Sequence, residues 1–508
     1  MEKNWVQPHL VFNLDATMHQ TEVLRIRALV QQHSPQTIDA LEAHVTKGTT
    51  PTTIGFDYQS AGIRFVRSQN VLSNSIIGEF TYISGDCDAA MNRSRVKCGD
   101  LLINLVGASI GRSAVYPFAD SANINQAVGR IRFTKSEDEI NPRYVASWIN
   151  TSHAQALILA EQSGQARDNF DLHQLREFLI PSVAPMGQKY IGEKVRHAER
   201  LRAHAQGQKD AFDLAIAGSF PELASLHDGS AKHSRAPAAR LGESLNPGEF
   251  TADRVRVRGY LHSRGGRLVG DVARIDTPIA STYGSDDIYI GLDSIGSTCG
   301  SISPSTIGKQ AVVGAVRVLP EGPVISKLRP YLNKVAYIPS ELSGSFASTE
   351  LLCVRPNDEA HGWYLCGVLR LRSTVRQLNP VSTGSTHPRV SRGDVASVIV
   401  PWITDPSSAG LFLRQAQAAS FAAEKLTTAA KLLVESLIDR RIGEADLIDA
   451  QHALDSGETG PDRAILARLT AEGIDVAGKP LLFPDIDAVY AALEEAKRAN
   501  SADDGGGA

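Results

Sequence analysis

Two short segments have the residue types of catalytic motifs. Gly107-Ala-Ser-Ile-Gly111 matches G-x-S-x-G, in which a serine is exposed on a sharp turn between a strand and a helix. The next residues, Arg-Ser-Ala-Val-Tyr-Pro-Phe, have a strand-and-turn pattern, so the glycines are read as a tight loop. Pro484-Asp485 with Glu495-Ala-Lys497 spells a metal-nuclease pattern, whose acid and lysine belong on a strand beside the aspartate. Here they fall in a helical run of Ala, Leu and charged residues and are read as a helix face. His197 and His204, seven apart on a helical pattern, lack a third ligand nearby and are read as solvated. There is no G-x-x-x-x-G-K-[ST], and no Asn-Pro-Pro-Tyr or Asp-Pro-Pro-Tyr run of the kind that holds a flipped base. The chain is therefore expected to be non-catalytic and to hold no metal.

A different chemistry is available in the loops. Bases are read by Arg or Lys on guanine, Asn or Gln on adenine and Ser or Thr on several edges, while phosphates are held by cations and backbone N–H groups. The first half offers Lys47, Thr49, Thr50, Arg64, Arg67, Asn70, Arg112, Gln165 and Arg167. The second offers Lys327, Arg329, Asn333, Lys334, Ser385, His387 and Arg389. Each alone also fits a solvated loop or a satisfied turn; the segments around Gly164 and Gly384 are the stronger class. Asn125 and Gln126 suit either a base contact or a hydrogen bond across a sheet.

The elements that must position these residues repeat once. Residues 162–172 lead to Leu179-Ile-Pro181, and residues 381–390 lead to Ile399-Val-Pro401; Gly164 and Gly384, like Pro181 and Pro401, differ by 220. Pro142-Arg-Tyr144 aligns at that offset with Gly362-Trp-Tyr364. Gly99-Asp-Leu-Leu-Ile-Asn-Leu105 matches Gly322-Pro-Val-Ile-Ser-Lys-Leu328 with a small shift, as a loop deletion would give. Each half ends in a long amphipathic pattern, 186–218 and 406–442, placed to pair antiparallel as a coiled coil. Strand patterns are read at 63–67, 101–105, 127–133, 288–290, 312–319, 351–354 and 398–400. The fold class is thus mixed α/β: two similar domains with twisted sheets, two long antiparallel helices and a small helical tail.

The expected divisions are an N-terminal segment 1–40, a first domain 41–185, a helix 186–218, a linker 219–239, a second domain 240–405, a helix 406–442 and an acidic helical tail 443–508. The last eight residues are expected to be disordered. Five cysteines without C-x-x-C spacing read as reduced, mostly buried thiols of a cytoplasmic protein, and no hydrophobic run is long enough to span a bilayer. The formal net charge of −4 opposes nucleic-acid binding. Yet seven Lys and Arg face fourteen Asp and Glu from residue 440 onward, which leaves the preceding chain at about +3.

Taken in order, Lys47-Gly-Thr-Thr-Pro51, Tyr58, Gly62-Ile-Arg-Phe-Val-Arg67, Asn70, Gly99-Asp-Leu-Leu-Ile, Ile110-Gly-Arg112, Asn125-Gln126, Pro142-Arg-Tyr144, Gly164-Gln-Ala-Arg167 and Ile180-Pro181 resemble the target-recognition domain of type I restriction-modification specificity subunits. The second copy departs, lacking the Gly-Thr-Thr-Pro opening and showing Ser348-Thr-Glu350 near the place of Asn125-Gln126. The resemblance implies two recognition domains, each reading half of a split double-stranded DNA site. It also implies partners: two methyltransferase subunits that methylate adenine N6, and restriction-translocase subunits that cleave. S-adenosylmethionine, ATP and magnesium would bind those partners, not this chain. A helix of about 30 residues is roughly 45 Å long, against about 34 Å per DNA turn, so an unread spacer is expected between the half-sites. A specificity subunit of a related defence machine, or a protein scaffold that binds no DNA, remains the alternative.

Overall fold

The computed structural model describes residues 20–162, 169–226, 246–297 and 300–504. The chain divides into two compact units, Met1–Ala203 with Ala419–Ala508, and His204–Ala418.

In the first unit the strands β1 (Ala43–Lys47), β2 (Leu101–Asn104), β3 (Ser113–Val115) and β4 (Val128–Phe133) form a sheet in the order β1-β4-β2-β3. All pairings are antiparallel, with Lys47 opposite Gly129, Asn104 opposite Val128 and Ile103 opposite Ser113. The C-terminal ends of β1 and β2 and the N-terminal ends of β3 and β4 therefore share one rim. β2 is buried along its whole length, so its residues read as a continuous apolar run and not as an alternation. Helix α1 (Pro142–Ile149) packs on β3, capped by Asn141, whose side chain accepts from the Arg143 and Tyr144 amides. Beside this sheet, Ile63–Val66 runs antiparallel to Thr81–Ile83 and parallel to Ala122–Ile124.

The second unit repeats the plan. Strands β5 (Ala273–Asp276), β6 (Gly322–Ser326), β7 (Val335–Ile338) and β8 (Leu351–Pro356) stand in the order β5-β8-β6-β7, again all antiparallel. Helix α3 (Gly362–Arg370) packs on β6 and β7. Ile288–Ile290 runs parallel to Phe346–Ala347 in the companion sheet. The apolar core of this unit gathers Val257, Leu261, Val354, Tyr364, Val368 and Val400.

The two long helices are α2 (Pro185–Ser219) and α4 (Pro406–Ile438). Their buried residues recur at three and four: Ile191, Val195, Ala198 and Leu201 on α2, and Ala419, Ala423, Leu426, Ala430 and Leu433 on α4. In the first unit they run antiparallel: Arg202 donates to Thr427 Oγ1 at 3.4 Å, while Gly187, near the start of α2, lies beside Glu444, past the end of α4. Three further helices follow in this unit, Glu444–Asp455, Gly460–Arg468 and Ile486–Asp504. They dock through a buried group: Asp462 accepts from Lys194, from Tyr190 at 2.6 Å and from Tyr490.

Several elements differ from expectation. The strand at 312–319 shrinks to Val316–Val318, because Ala311 and Gly314 take positive φ and Val313 is 93% exposed. Helices Thr21–Gln31 and Ala252–Ser263 were not expected: the first buries Val23, Ile26 and Val30 at three- and four-residue spacing, while the second interleaves Asp253, Arg254, Arg256 and Arg258 with the buried Val257 and Leu261. The expected linker begins later than Ser219, since Phe220 is buried in the second unit's core; residues 227–245 lie outside the described residues. The last helix reaches Asp504, within the stretch expected to be disordered, and residues 505–508 lie outside the described residues. Cys87, Cys353 and Cys366 are buried free thiols and Cys98 is exposed, while Cys299 is outside the described residues. No described helix is long and apolar enough to cross a membrane.

Candidate nucleic-acid interface

The shared rim of the first sheet collects much of the candidate chemistry. Lys47 ends β1 and is exposed. Gly48 comes next because nothing larger fits: a Cβ there would lie 1.8 Å from the Ile124 carbonyl oxygen. Thr49 and Thr50 succeed it, and Thr50 Oγ1 bonds to the Gln126 side chain. Asn125 is tied to the same place through its amide, which donates to the Val66 carbonyl at 3.3 Å, and this brings Arg67 alongside. The loop after β2 carries Gly107–Ser109 as one tight turn and leads to the exposed Arg112. Val106 bridges to Asn169, and the Phe170 amide donates to Leu105 at 2.9 Å, so the chain is fixed to this rim from Asn169 onward. Gln165 and Arg167 themselves lie outside the described residues.

The corresponding rim of the second sheet is built by the same bonds. Ser348 donates to Ile290 at 3.2 Å as Asn125 does to Val66, and Lys327 donates to Glu350 at 2.9 Å as Leu105 does to Ala127 at 2.8 Å. Leu328 bridges to Arg389, and Val390 donates to Lys327 at 2.9 Å. Residues 383–389 form a small hairpin closed by two mutual bonds between Thr383 and Arg389, each 2.8 Å, with Gly384 at φ +103°. Its tip exposes Ser385 and His387. Arg329 and Asn333 flank the short turn Pro330–Leu332, both in the left-handed region, and leave Tyr331 half exposed. A cleft of about 630 Å³ opens beneath the hairpin, lined by Arg317, Lys327, Arg389 and Arg392 together with Glu249 and Asp394.

Four candidates are engaged inward. Asn70 is 1% exposed; its amide nitrogen donates to Ile77 at 3.2 Å and Glu79 at 3.0 Å, and its oxygen accepts from the Arg67 amide. That is a turn clamp, without an edge left for a base. Arg64 donates to Tyr116 and Asp120, each at 2.9 Å, and stacks over Phe118 with its centroid 4.1 Å away. Burial opposes the Arg64 charge, but Tyr116 and Asp120 overcome it and hold the guanidinium more firmly protonated than usual. Lys334 donates to the Leu292 and Ile295 carbonyls, and Asn333 Nδ2 to Arg370 O at 2.7 Å. Lys47, Thr49, Thr50, Arg67 and Arg112 gather on the first rim, and Lys327, Arg329, Ser385, His387 and Arg389 on the second.

The motifs of catalytic character sit in ordinary surroundings. Ser109 Oγ accepts from Asn104 Nδ2 at 3.1 Å, and the next regular element is β3, not a helix. Asp485 accepts from the Ala488 amide at 3.0 Å at the start of the last helix, which carries Glu495 and Lys497. His197 is half-buried, not solvated as expected, with its pKa pushed down to about 3 by burial and then by Lys194 and Arg200. Among the described residues no group of three or more His, Cys, Asp or Glu could hold a metal ion.

Sequence reasoning missed Glu350. Its segment stood out only as a departure from Asn125-Gln126, and its partner Arg389 is 39 residues away.

Each unit thus carries a four-stranded sheet of the same strand order with polar loops gathered on one rim. The sequence is similar to that of the type I restriction enzyme EcoBI specificity subunit of Escherichia coli, at 27% identity over 157 residues, 31% of this chain. The match spans about a third of that relative's length, 32%. No family model matches. Among solved structures, the S subunit of a type I restriction-modification system from M. genitalium aligns with 82% of this chain and 95% of its own, at 12% identity and a TM-score of 0.38. The HsdS subunit from Thermoanaerobacter tengcongensis aligns with 80% and 96%, at 14% identity and a TM-score of 0.23.

Proposed function

We propose that this chain is the DNA-specificity subunit of a type I restriction-modification enzyme, each rim reading one part of a two-part double-stranded target. One observation carries the reading: the two rims share strand order, register and closing hydrogen bonds, yet present different side chains. Two copies of one scaffold with different loop chemistry suit a target with two different halves. The sequence relative is named for the same role.

In this reading the chain itself is non-catalytic and cytoplasmic, and it directs adenine-N6 methylation and cleavage by two methyltransferase subunits and the restriction-translocase subunits. S-adenosylmethionine, ATP and magnesium serve those partners. The weak basic balance fits a subunit whose DNA affinity depends on partners closing around the duplex.

The test is long-read mapping of methylated adenines in cells that carry the partner subunits, with this gene present and deleted. A two-part motif that disappears with the gene is expected. Gel shifts at low and moderate salt, with and without the methyltransferase subunits, separate this from a scaffold, which shows no sequence preference in either mixture.

A further inference from the structure

We infer that Arg389, oriented by Glu350, reads a guanine in the part of the target recognised by the second unit, an inference that rests on the DNA-reading function proposed above. Arg389 Nε lies 3.1 and 3.2 Å from the two Glu350 carboxylate oxygens and Nη2 lies 3.0 Å from one of them. Nη1 donates to the His387 carbonyl at 3.2 Å. A guanidinium has five N–H donors in a rigid fork. Those contacts use the Nε–Nη2 side and one hydrogen of Nη1, which leaves one further N–H on each terminal nitrogen. That pair has the spacing of guanine O6 and N7, the commonest bidentate base contact.

The backbone fixes both partners. Glu350 precedes β8 and accepts from the Lys327 amide, while Arg389 closes the hairpin against Thr383 and bridges to Leu328. The Pro388 carbonyl accepts from the Arg329 amide at 2.7 Å, which pins the hairpin base from the other side. An arginine held this way loses little rotamer freedom on binding.

The same pairing argues against a phosphate role. Glu350 carries a charge that repels DNA and lies 3.8 Å from Lys327 as well as against Arg389, so it cancels cation where a phosphate clamp needs it. What it preserves is direction. At the matching places of the first unit stand Ala127 and Asn169, so the first rim lacks this pair.

The test uses the complete complex with R389A, R389K and E350A variants, read by long-read mapping of methylated adenines. R389A and R389K should each lose preference at one guanine of one half-site by about 5- to 100-fold. The other half-site should be read as before, which also shows that the variants are folded. E350A should weaken the same position to a smaller degree. A uniform fall in methylation with R389K and an unchanged motif would assign Arg389 to phosphate and overturn the inference. So would full guanine preference in R389A, or a target without guanine in the affected half. If the wild type directs no two-part methylation, the specificity function itself falls and this inference with it.

Discussion

The Tyr144 hydroxyl donates to the Pro181 carbonyl at 2.8 Å, and 220 residues later Tyr364 donates to Pro401 at 2.9 Å. Both tyrosines are fully buried, and each bond locks a helix packed on the sheet, α1 or α3, to the strand that leads into a long helix. A carbonyl accepting a buried hydroxyl has no water to replace it. Tyr144→Phe and Tyr364→Phe should therefore each cost about 1–2 kcal/mol. Urea midpoints check the loss, and hydrogen exchange should confine each effect to one unit. An effect of either variant spread evenly over both units would contradict two separately built cores.

Asn70 belongs to stability and not to base reading. Asn70→Ala removes three hydrogen bonds from a buried turn and leaves the Ile77 and Glu79 carbonyls without their donors, a loss of roughly 1–3 kcal/mol. Methylation mapping should return the same motif at lower yield. A changed base preference would return Asn70 to the reading face.

The contrast with Arg389 shows what was legible beforehand. The duplication was, because Gly384, Tyr364 and Pro401 keep one offset from Gly164, Tyr144 and Pro181, and a shared offset needs no long-range information. The buried strands β2 and β8 were legible as apolar runs for the same reason. Which loop cations face outward was not. Arg64, on the strand Ile63–Val66, and Arg112, in a loop, are the same residue type, and only the approach of Tyr116, Asp120 and Phe118 commits the first. Residue types also gave no hint that Glu350 and Arg389 meet, since the bridge between residues 328 and 389 decides it.

His197 supplies a pH dependence. Its folded pKa lies near 3, below the ordinary 6.5, because burial and then Lys194 and Arg200 disfavour the imidazolium, with Lys497 adding to them; Asp462 acts the other way, and Glu193 lies 3.8 Å away. A depressed histidine contributes stability that is present above pH 6.5 and is lost as pH falls toward 3. The loss should approach about 1.4 kcal/mol for each pH unit below about 6. His197→Gln should flatten that slope in thermal melts between pH 6.5 and 4.5. A slope unchanged in the variant would place the acid sensitivity elsewhere.

Lys47 and Arg112 have the opposite profile from Arg389. Both are exposed on the first rim, and neither is held by a nearby carboxylate among the described ion pairs. A cation without a buttress keeps its charge available and its direction loose, which suits phosphate and not a base edge. Lys47→Ala and Arg112→Ala should each weaken DNA binding by the complete complex about equally across sequences and lower the slope of log affinity against log salt by about 1. Gel shifts over a salt series measure the slope, and methylation mapping should return an unchanged motif. If either variant instead relaxes one base position while the salt slope stays constant, that residue reads sequence, and the first rim resembles the second more closely than its missing Glu350 implies.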